Sequence, residues 1–302
     1  MPASKTLKLS VASLVLLTAC GGKGSTATTV ALKPKITISS TTDPISVMQA
    51  EIYGQALEKA QFRVARKKAF DTPEALYAAM VAGDVQLAGM TSKALLTSQM
   101  TQSGSTDALP SATASQLAAI SKALPATLKI GAASTAEDKD VIVCAKTFTD
   151  TNKLTTLTEL GPLAGTATLA APDGFDTATP LGAVGLKDTY QIVFKAVVAT
   201  ASDKVLAAIT AGTANCGVDR SADPALAAGA FTVLEDDKAL VPNDVVLPLV
   251  AASIGTPDVV TVLDATSTKL TGDKLRTLMG RLNVDHIAPE LVANEFTGNA
   301  GT

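Results

Sequence analysis

The chain has 302 residues, of which 47% are hydrophobic, and a formal net charge of −3. This length is sufficient for two lobes with separate hydrophobic cores, and the slightly acidic balance excludes a basic face for nucleic acid. Only 3% of the residues are aromatic and Trp is absent. The core must therefore be built mainly from Ala, Val, Leu and Ile.

The N-terminus has the layout of a secretory signal. Lys5 and Lys8 precede an uncharged apolar run over residues 9–17. This run is much shorter than the roughly 20 apolar residues that a membrane-spanning helix needs. We therefore expect residues 1–19 to be a signal peptide, whose removal takes away two positive charges and changes the net charge from −3 to −5.

The segment 17–21, with the sequence LTACG, resembles the bacterial lipobox. The resemblance implies that Cys20 is lipidated and becomes the first residue of the mature protein, which would anchor an extracytoplasmic protein to the cell membrane. An ordinary signal peptide with a chance cysteine is the alternative. Gly, Ser and Thr follow and favour a flexible coil, so residues 20–34 are interpreted as a lipidated tether.

The first third of the remaining chain alternates strands and helices. The predicted elements are a strand at 35–39, a helix with Met48, Ile52 and Leu57 on one face, a charged edge strand within 61–69, a helix opened by Thr72 and ended by Gly83, and a strand at 85–90. Hydroxyl N-caps and a C-terminal glycine are typical helix boundaries. This order favours an α/β lobe with a largely parallel sheet.

The same sequence signals predict the later elements of the chain. They are a surface loop at 102–115, strands at 128–131 and 141–144, a short helix at 154–160, a strand at 166–171, a helix from Ser202 closed by Gly212, strands around Cys216 and at 231–234, an apolar stretch at 245–252, a helix capped by Thr271 and a helix at 289–296.

Cys144 and Cys216 form an even pair once Cys20 is set aside. Each lies in a strand-like run, and disulfides persist in extracytoplasmic compartments. The pair is interpreted as a disulfide between neighbouring strands, with two buried free thiols as the alternative. Two cysteines and the single His286 are too few for a cysteine-based metal site, and no cofactor is expected.

Several segments occur together in one order along the chain. They are 50–60, 74–77 with 83–87, 185–190, 222–224 with 233–238, and 282–285 with 292–296. In their residues and in their order along the chain, they resemble the solute-binding proteins of osmoprotectant ABC importers, the glycine betaine/choline type. One departure is the segment Gly89–Lys93, which stands where members of this family typically carry a Tyr-containing stretch.

The resemblance implies an α/β fold of the two-lobed, type II periplasmic-binding-protein-like kind. Each lobe would be a mainly parallel sheet flanked by helices, and crossover strands would form the hinge. Lobe 1 would comprise residues 35–137 and 245–302, and lobe 2 would comprise residues 138–244. The ligand would bind in the cleft and the lobes would close on it by hinge motion.

The resemblance also implies a ligand site on loops that follow strands. The candidate ligand-binding residues are Ser40, Thr41, Thr42, Met90, Thr91, Asp173, Phe175, Tyr190, Arg220, Ser221 and Asp223. Ser39 to Thr42 offers hydroxyl and N–H groups at the start of a helix, where an anion is stabilised, although the adjacent Asp43 disfavours an anion.

Aromatic faces hold a quaternary ammonium, because such a cation cannot donate a hydrogen bond. Phe175 and Tyr190 are the aromatic residues expected in the cleft, with local packing as the alternative for Phe175 and a half-buried position on a helix as the alternative for Tyr190. Tyr53 and Tyr77 are expected in the core. Arg220 would hold a carboxylate in a bidentate pair, or form an ion pair at the surface or between the lobes.

The function implied by the resemblance is that of the extracytoplasmic solute-binding component of an ABC importer. It would capture a small polar solute, glycine betaine-like or choline-like, and deliver it to the permease and ATPase subunits. We expect a monomer that contacts the membrane through its lipid and binds no nucleic acid. The sequence has no motif of a serine hydrolase, a zinc protease or a phosphate loop, so no enzyme is expected. The alternative is a surface lipoprotein that keeps the fold, has lost the ligand and acts as a structural or interaction protein.

Overall fold

The computed structural model describes residues 33–298. The predicted signal peptide, Cys20 and nearly all of the predicted tether lie outside the described residues. Within the described part, no helix is both long enough and apolar enough to cross a membrane.

Eleven α-helices and ten strands are present in the described residues. The helices are α1 Pro44–Lys59, α2 Pro73–Ala82, α3 Ser92–Ser103, α4 Thr113–Ala123, α5 Lys146–Asn152, α6 Leu157–Leu160, α7 Ala183–Tyr190, α8 Val205–Thr210, α9 Pro257–Lys269, α10 Gly272–Met279 and α11 Pro289–Thr297. The strands are β1 Lys35–Ser39, β2 Arg63–Arg66, β3 Leu87–Thr91, β4 Leu128–Ile130, β5 Asp140–Ala145, β6 Thr168–Ala171, β7 Ala196–Ala199, β8 Cys216–Arg220, β9 Phe231–Val233 and β10 Val246–Ala251.

The first sheet has the strand order β2-β1-β3-β10-β4. β1 pairs in parallel with β2 and β3, as the alternation of strands and helices predicts, whereas β10 is antiparallel to both β3 and β4. Four of the five strands therefore run in one direction. β2 lies at the edge, which confirms the prediction of a charged edge strand.

The second sheet repeats this plan with the order β7-β6-β8-β5-β9. β6 pairs in parallel with β7 and β8, and β5 is antiparallel to β8 and β9. We call the body built on the first sheet lobe 1 and the body built on the second sheet lobe 2. Two mainly parallel sheets with flanking helices confirm the predicted α/β architecture.

Two segments cross between the lobes and lie side by side. One leads from β4 to β5 and the other from β9 to β10. They pair in an antiparallel bridge between Glu137 and Val245, and the Asp138 N–H donates to the Asp244 carbonyl at 3.1 Å. This pair of segments, which we call the crossover, is the place where the two lobes are joined.

Local signals in the sequence determine several helix ends. The Thr72 hydroxyl accepts from the Ala75 N–H at the start of α2, and Gly83 ends this helix with a φ of 81°. Thr271 caps α10 in the same way. Hydroxyl caps satisfy N–H groups that a helix leaves unpaired, and glycine adopts the left-handed conformation without steric cost.

Other predictions of local structure are wrong in part. The loop predicted at 102–115 is shorter, because α3 extends to Ser103 and α4 begins at Thr113. The helix predicted at 154–160 is reduced to the single turn α6, which a capping box of Thr156 and Glu159 stabilises. The helix predicted from Ser202 begins as a 3-10 turn and becomes α8 only at Val205.

Each lobe has its own hydrophobic core. Tyr53 and Tyr77 are buried in the core of lobe 1, as predicted. Cys144 and Cys216 face each other across β5 and β8 in the core of lobe 2, where they are joined by a disulfide. The disulfide therefore links two central strands of the second sheet.

Candidate functional site

A cavity of about 380 Å³ lies where the strands of lobe 1 end and the crossover begins. Lobe 1 contributes the turn after β1, the first turns of α1, the residues before α2 and the end of β3. Asp138 and Asp244 of the crossover and Arg220 of lobe 2 complete the lining. Crevices at the carboxyl ends of parallel strands are the usual ligand sites of α/β sheets, and this volume suits a small solute.

The turn after β1 is held by hydrogen bonds within lobe 1. The Thr41 N–H donates to the Ser46 hydroxyl at 3.0 Å, and this hydroxyl donates to the Gly89 carbonyl at 3.1 Å. The Thr42 N–H donates to the Phe70 carbonyl at 2.9 Å. These contacts fix the turn against β3, and they leave the N–H groups of Thr41 and Thr42 without capacity for a ligand.

The N-terminus of α1 is already capped by its own carboxylate. Asp43 accepts from the N–H groups of Ile45 at 2.9 Å and Ser46 at 3.2 Å. A carboxylate at this position satisfies the helix end and repels a second anion. This end of the cavity is therefore unsuited to the carboxylate of a ligand.

Arg220 enters the cavity from the end of β8 in lobe 2. Its guanidinium is bidentate to Asp138, with the shorter contact at 2.7 Å, and reaches Asp140 at 3.0 Å. These two carboxylates raise the pKa of Arg220 against the lowering effect of its partial burial. The guanidinium is thus neutralised by the protein itself, which corresponds to the ion-pair alternative for this residue.

Asp244 is buried in the crossover, with 7% of its surface exposed. It accepts from the Lys93 N–H at 2.8 Å and is hydrogen-bonded by the Thr91 hydroxyl. Burial raises the pKa of Asp244 to about 6, and these hydrogen bonds oppose the rise. The residue connects the crossover to the first turn of α3.

Gln49 lies on the first turns of α1 with only 1% of its surface exposed, and its side chain borders the cavity. Its Oε1 and Nε2 atoms have no hydrogen-bond partner among the described residues. A buried amide without partners costs roughly 1–3 kcal/mol relative to a paired one. Both atoms have almost no exposed surface and Oε1 lies against the backbone of Gly89, so the amide faces β3 rather than the open cavity.

The cavity brings together five of the predicted ligand-binding residues. They are Thr41, Thr42, Met90, Thr91 and Arg220. They come from the turn after β1, from β3 and from the end of β8, which are far apart in the sequence. Ser40 lies beside this group, buried, with its carbonyl accepting from the Phe70 N–H at 2.9 Å.

The structure places three further predicted residues elsewhere. Asp173 is exposed on the turn after β6. Asp223 caps a 3-10 turn by accepting from the Ala225 N–H at 2.7 Å. Ser221 borders a second cavity of about 560 Å³. Arg276 of α10 borders the same cavity, and its guanidinium donates to the Ser221 carbonyl at 2.9 Å. This contact ties lobe 1 to the end of β8.

The expectation that Phe175 and Tyr190 face the cleft requires correction. Both rings are buried in the core of lobe 2, with 6% and 3% of their surfaces exposed, and neither borders the two cavities described above. The Tyr190 hydroxyl donates to Asp236 and accepts from the Lys238 N–H at 2.6 Å. Packing within lobe 2, the alternative for Phe175, is what the structure has, and Tyr190 lies at the end of α7 with its ring fully in the core rather than half-buried.

Sequence reasoning missed five polar residues that line the first cavity. They are Ser46, Gln49, Asp71, Asp138 and Asp244. Nothing in the sequence distinguishes Gln49, because it is one of several polar residues that stand among the apolar residues of α1. Asp244 stands directly before the apolar stretch that becomes β10, and only the pairing of the crossover segments brings it to β3.

The comparisons with known proteins agree on one kind of fold. Residues 34–299 match the family model of the substrate-binding domain of ABC-type glycine betaine transport systems. A comparison with curated proteins finds no significant match. The described residues contain no group of three or more His, Cys, Asp or Glu side chains arranged to hold a metal ion.

Two solved structures are similar over most of their length. One is a glycine betaine/carnitine/choline ABC transporter protein, with a TM-score of 0.78 and 15% identity over 87% of this chain and 97% of that chain. The other is the apo form of YehZ from Escherichia coli, with a TM-score of 0.76 and 17% identity over 88% of this chain and 99% of that chain. These similarities confirm the predicted two-lobed fold.

Proposed function

Because the chain belongs to the family of substrate-binding domains of ABC-type glycine betaine transport systems, we propose that its 380 Å³ cavity captures a small polar solute for a membrane permease. The protein is the extracytoplasmic solute-binding component of an ABC importer. Its family consists of transporter substrate-binding proteins and is not an enzyme family. The solute and its contacts are the parts that need a test.

The position of the cavity is the observation that carries this proposal. Residues from the strand ends of lobe 1, from the crossover and from the last residue of β8 all border one space. A solute there would touch both lobes at the point where they are joined. Binding would then be coupled to hinge closure, which is how a two-lobed receptor signals its loaded state to a permease.

The family indicates which solutes should be tested first. Glycine betaine and choline are small ammonium compounds, and the carboxylates bordering the cavity suit a positive charge. The test is calorimetric titration of the purified protein with betaine, choline, carnitine, proline and a broader panel of metabolites. Saturable binding of at least one solute is expected, and the absence of binding to all of them would contradict the proposed function.

The cellular arrangement is a further part of the proposal. A lipid on Cys20 and a Gly/Ser/Thr tether would hold a monomeric receptor near its permease and ATPase partners. Replacement of the acceptor, Cys20→Ala, should move the protein from the membrane fraction to the soluble extracytoplasmic fraction. Retention of the variant in the membrane fraction would show that something other than a lipid on Cys20 anchors it.

A second candidate function is favoured by the composition of the cavity lining. Among the described residues that border the 380 Å³ cavity there is no aromatic ring. A protein that has kept the fold of the family but lost its ligand would have a lining without aromatic rings. Such a protein would act as a structural or interaction protein at the cell surface. The same titration separates the two functions, because such a protein would bind no solute.

A further inference from the structure

We infer that residues 221–228, together with Arg276 of α10, hold the two lobes apart at the solute cavity and so set its affinity without contacting the solute. Residues 221–228, which we call the docking loop, lie between β8 and β9 and begin at the 560 Å³ cavity, away from the 380 Å³ cavity. This inference rests on the proposed solute-binding function and adds positioning residues that act on the same cavity from a distance.

The crossover has two faces, and each face borders a different cavity. Its antiparallel pairing sets Asp138 opposite Asp244 and Lys139 opposite Asn243. Successive side chains of an extended segment point to opposite sides. Asp138 and Asp244 accordingly border the 380 Å³ cavity, at what we call the front face. Lys139 and Asn243 border the 560 Å³ cavity, at the back face, where the Lys139 Nζ donates to the Asn243 Oδ1 at 2.8 Å.

The two lobes contribute very differently to the two cavities. Among the described residues that border the front cavity, Arg220 is the one that lobe 2 supplies. The back cavity is bordered by β5 and residues 233–241 of lobe 2 and by the first turn of α10 of lobe 1. The lobes therefore meet at the back face of the crossover, whereas the front cavity is lined almost entirely by lobe 1 and the crossover.

Both ends of the docking loop are fixed to lobe 2. Ser221 continues the pairing of β5 with β8, because its N–H donates to the Lys139 carbonyl at 2.8 Å and its hydroxyl accepts from the Lys139 N–H at 3.0 Å. Leu226 is buried in an apolar cluster of lobe 2 that includes Val141 and Val205. The loop must therefore move with lobe 2 when the hinge bends.

The start of the docking loop is also held by lobe 1. Ala222 has 5% of its surface exposed and is buried in an apolar cluster of lobe 1 that includes Leu275 of α10. The Arg276 Nε donates to the Ser221 carbonyl at 2.9 Å, and a contact of 2.6 Å with Asp273 orients the guanidinium. Helix α10 thus holds the loop by one apolar contact and one charged hydrogen bond.

The position of these contacts determines the sign of their effect. Capture of a solute in the front cavity requires lobe 2 to approach lobe 1 on that face of the crossover. A rotation that narrows the front also widens the back, and it would pull Ser221 and Ala222 away from α10. These contacts stabilise the separated arrangement of the lobes. They compete with solute binding, because the apparent affinity falls with the fraction of protein in the binding-competent state.

The test combines small-angle X-ray scattering of the solute-free protein with calorimetric titration of glycine betaine and choline. Arg276→Met keeps an unbranched side chain and removes the hydrogen bond to Ser221. We expect a smaller radius of gyration without solute and an affinity about twofold to tenfold higher, which is the range that one hydrogen bond allows. The matched control is Arg281→Met, because Arg281 pairs with Asp285 at 2.9 Å and Glu295 at 2.8 Å within lobe 1. This control should leave both quantities unchanged.

A second variant acts on the apolar contact instead of the hydrogen bond. Ala222→Leu places a side chain that is too large for its site in lobe 1, so it should displace the docking loop and change both quantities in the same direction as Arg276→Met. Arg276→Lys keeps a charged donor and should restore part of the original affinity. The thermal midpoints of all variants show whether each is folded.

The direction of the change in affinity separates a hinge role from a structural one. If Arg276 only stabilised lobe 1, its loss would lower the thermal midpoint without tightening binding. An unchanged radius of gyration in both folded variants, or an unchanged or weaker affinity in both, would overturn the inference and leave the proposed function standing. Absence of binding to every solute of the broad panel would contradict the proposed function. The scattering of the solute-free variants would still decide whether the docking loop holds the lobes apart.

Discussion

Gln49 occupies the space that any side chain at residue 89 would need. A Cβ atom built on Gly89 would lie 2.2 Å from Gln49 Cβ and 2.4 Å from its Oε1, far closer than nonbonded carbon and oxygen atoms approach. Helix α1 therefore rests directly on the backbone of β3, beside the cavity that its first turns line.

The substitution Gly89→Ala should disturb both stability and binding. The added methyl group would push α1 away from β3, which overpacks the core at a typical cost of about 1–3 kcal/mol in the free energy of unfolding. Displacement of the first turns of α1, which line the cavity, should also weaken solute binding. Denaturant unfolding and calorimetry measure the two effects. Gly272→Ala is the control, because a Cβ atom there meets nothing within 4 Å and alanine favours the first turn of α10. Equal stability of the two variants would contradict the close contact.

The disulfide should contribute strongly to the stability of lobe 2. Cys144 and Cys216 are separated by 72 residues along the chain, so their bond closes a long loop in the unfolded state. The double substitution Cys144→Ala/Cys216→Ala should lower the free energy of unfolding by about 2–4 kcal/mol. A reducing agent should lower the thermal midpoint of the unmodified protein and leave that of the double variant unchanged. Sensitivity of the double variant to the reducing agent would contradict this assignment.

Asp244 should make stability fall as the pH rises from about 4 to about 6. Burial raises its pKa in the folded protein to about 6 from the ordinary 3.8, so the folded state binds more protons than the unfolded state in this range. Over the whole window the loss is on the order of 2–3 kcal/mol. In Asp244→Asn this part of the decline should disappear, as measured by denaturant unfolding between pH 4 and 7.

A second carboxylate titrates with the same sign. Burial also raises the pKa of Asp219 to about 6, so the Asp244→Asn variant should keep a residual decline that only Asp219→Asn removes. The two substitutions are therefore controls for each other. An Asp244→Asn variant with the full decline of the unmodified protein would contradict the burial of an ionisable group at this position.

Arg220→Gln should strengthen the binding of a carboxylate-free cation by about twofold to tenfold, because it releases the carboxylates of Asp138 and Asp140 from their pair and makes the cavity more negative. Choline, which carries no carboxylate, is the suitable solute for calorimetry. The control is Arg66→Gln, since Arg66 pairs in the same way with Glu51 at 2.9 Å and Glu58 at 2.6 Å on the outer edge of lobe 1. Weaker binding in Arg220→Gln would mean that the guanidinium contacts the solute directly.

Local sequence signals were sufficient to predict a helix where its capping residues define both of its ends. Thr72 and Gly83 define α2 because a hydroxyl cap and a left-handed glycine are local devices. The same start signal precedes α9, where the Thr256 hydroxyl accepts from the Val259 N–H and Pro257 follows, and this helix was nevertheless absent from the predicted elements. Helix α3 was not predicted for a different reason. Leu95 and Leu96 are its only buried apolar side chains, so its formation depends on packing against α2 and α4.

The candidate site was predictable only in part. The turn after β1 and the end of β3 were expected to face a ligand because strand ends do so in α/β folds, and Thr42 and Thr91 border the cavity. Phe175 was expected there because it is aromatic and lies in a turn after a strand. Its ring is instead buried in the hydrophobic core of lobe 2, and only the packing of that core shows which way the ring faces.

The sequence by itself determined the family, the alternation of strands and helices and the existence of a paired-cysteine candidate, and it predicts a leader with a lipobox-like end. These properties depend on local chemistry and on the order of segments. The tertiary structure alone decided that the amide of Gln49 is buried without a partner, that Arg220 is neutralised by Asp138 and that no described aromatic ring borders the cavity. Each of these depends on distances between residues separated by many positions in the chain, and such distances are set by the packing of the two sheets and their crossover.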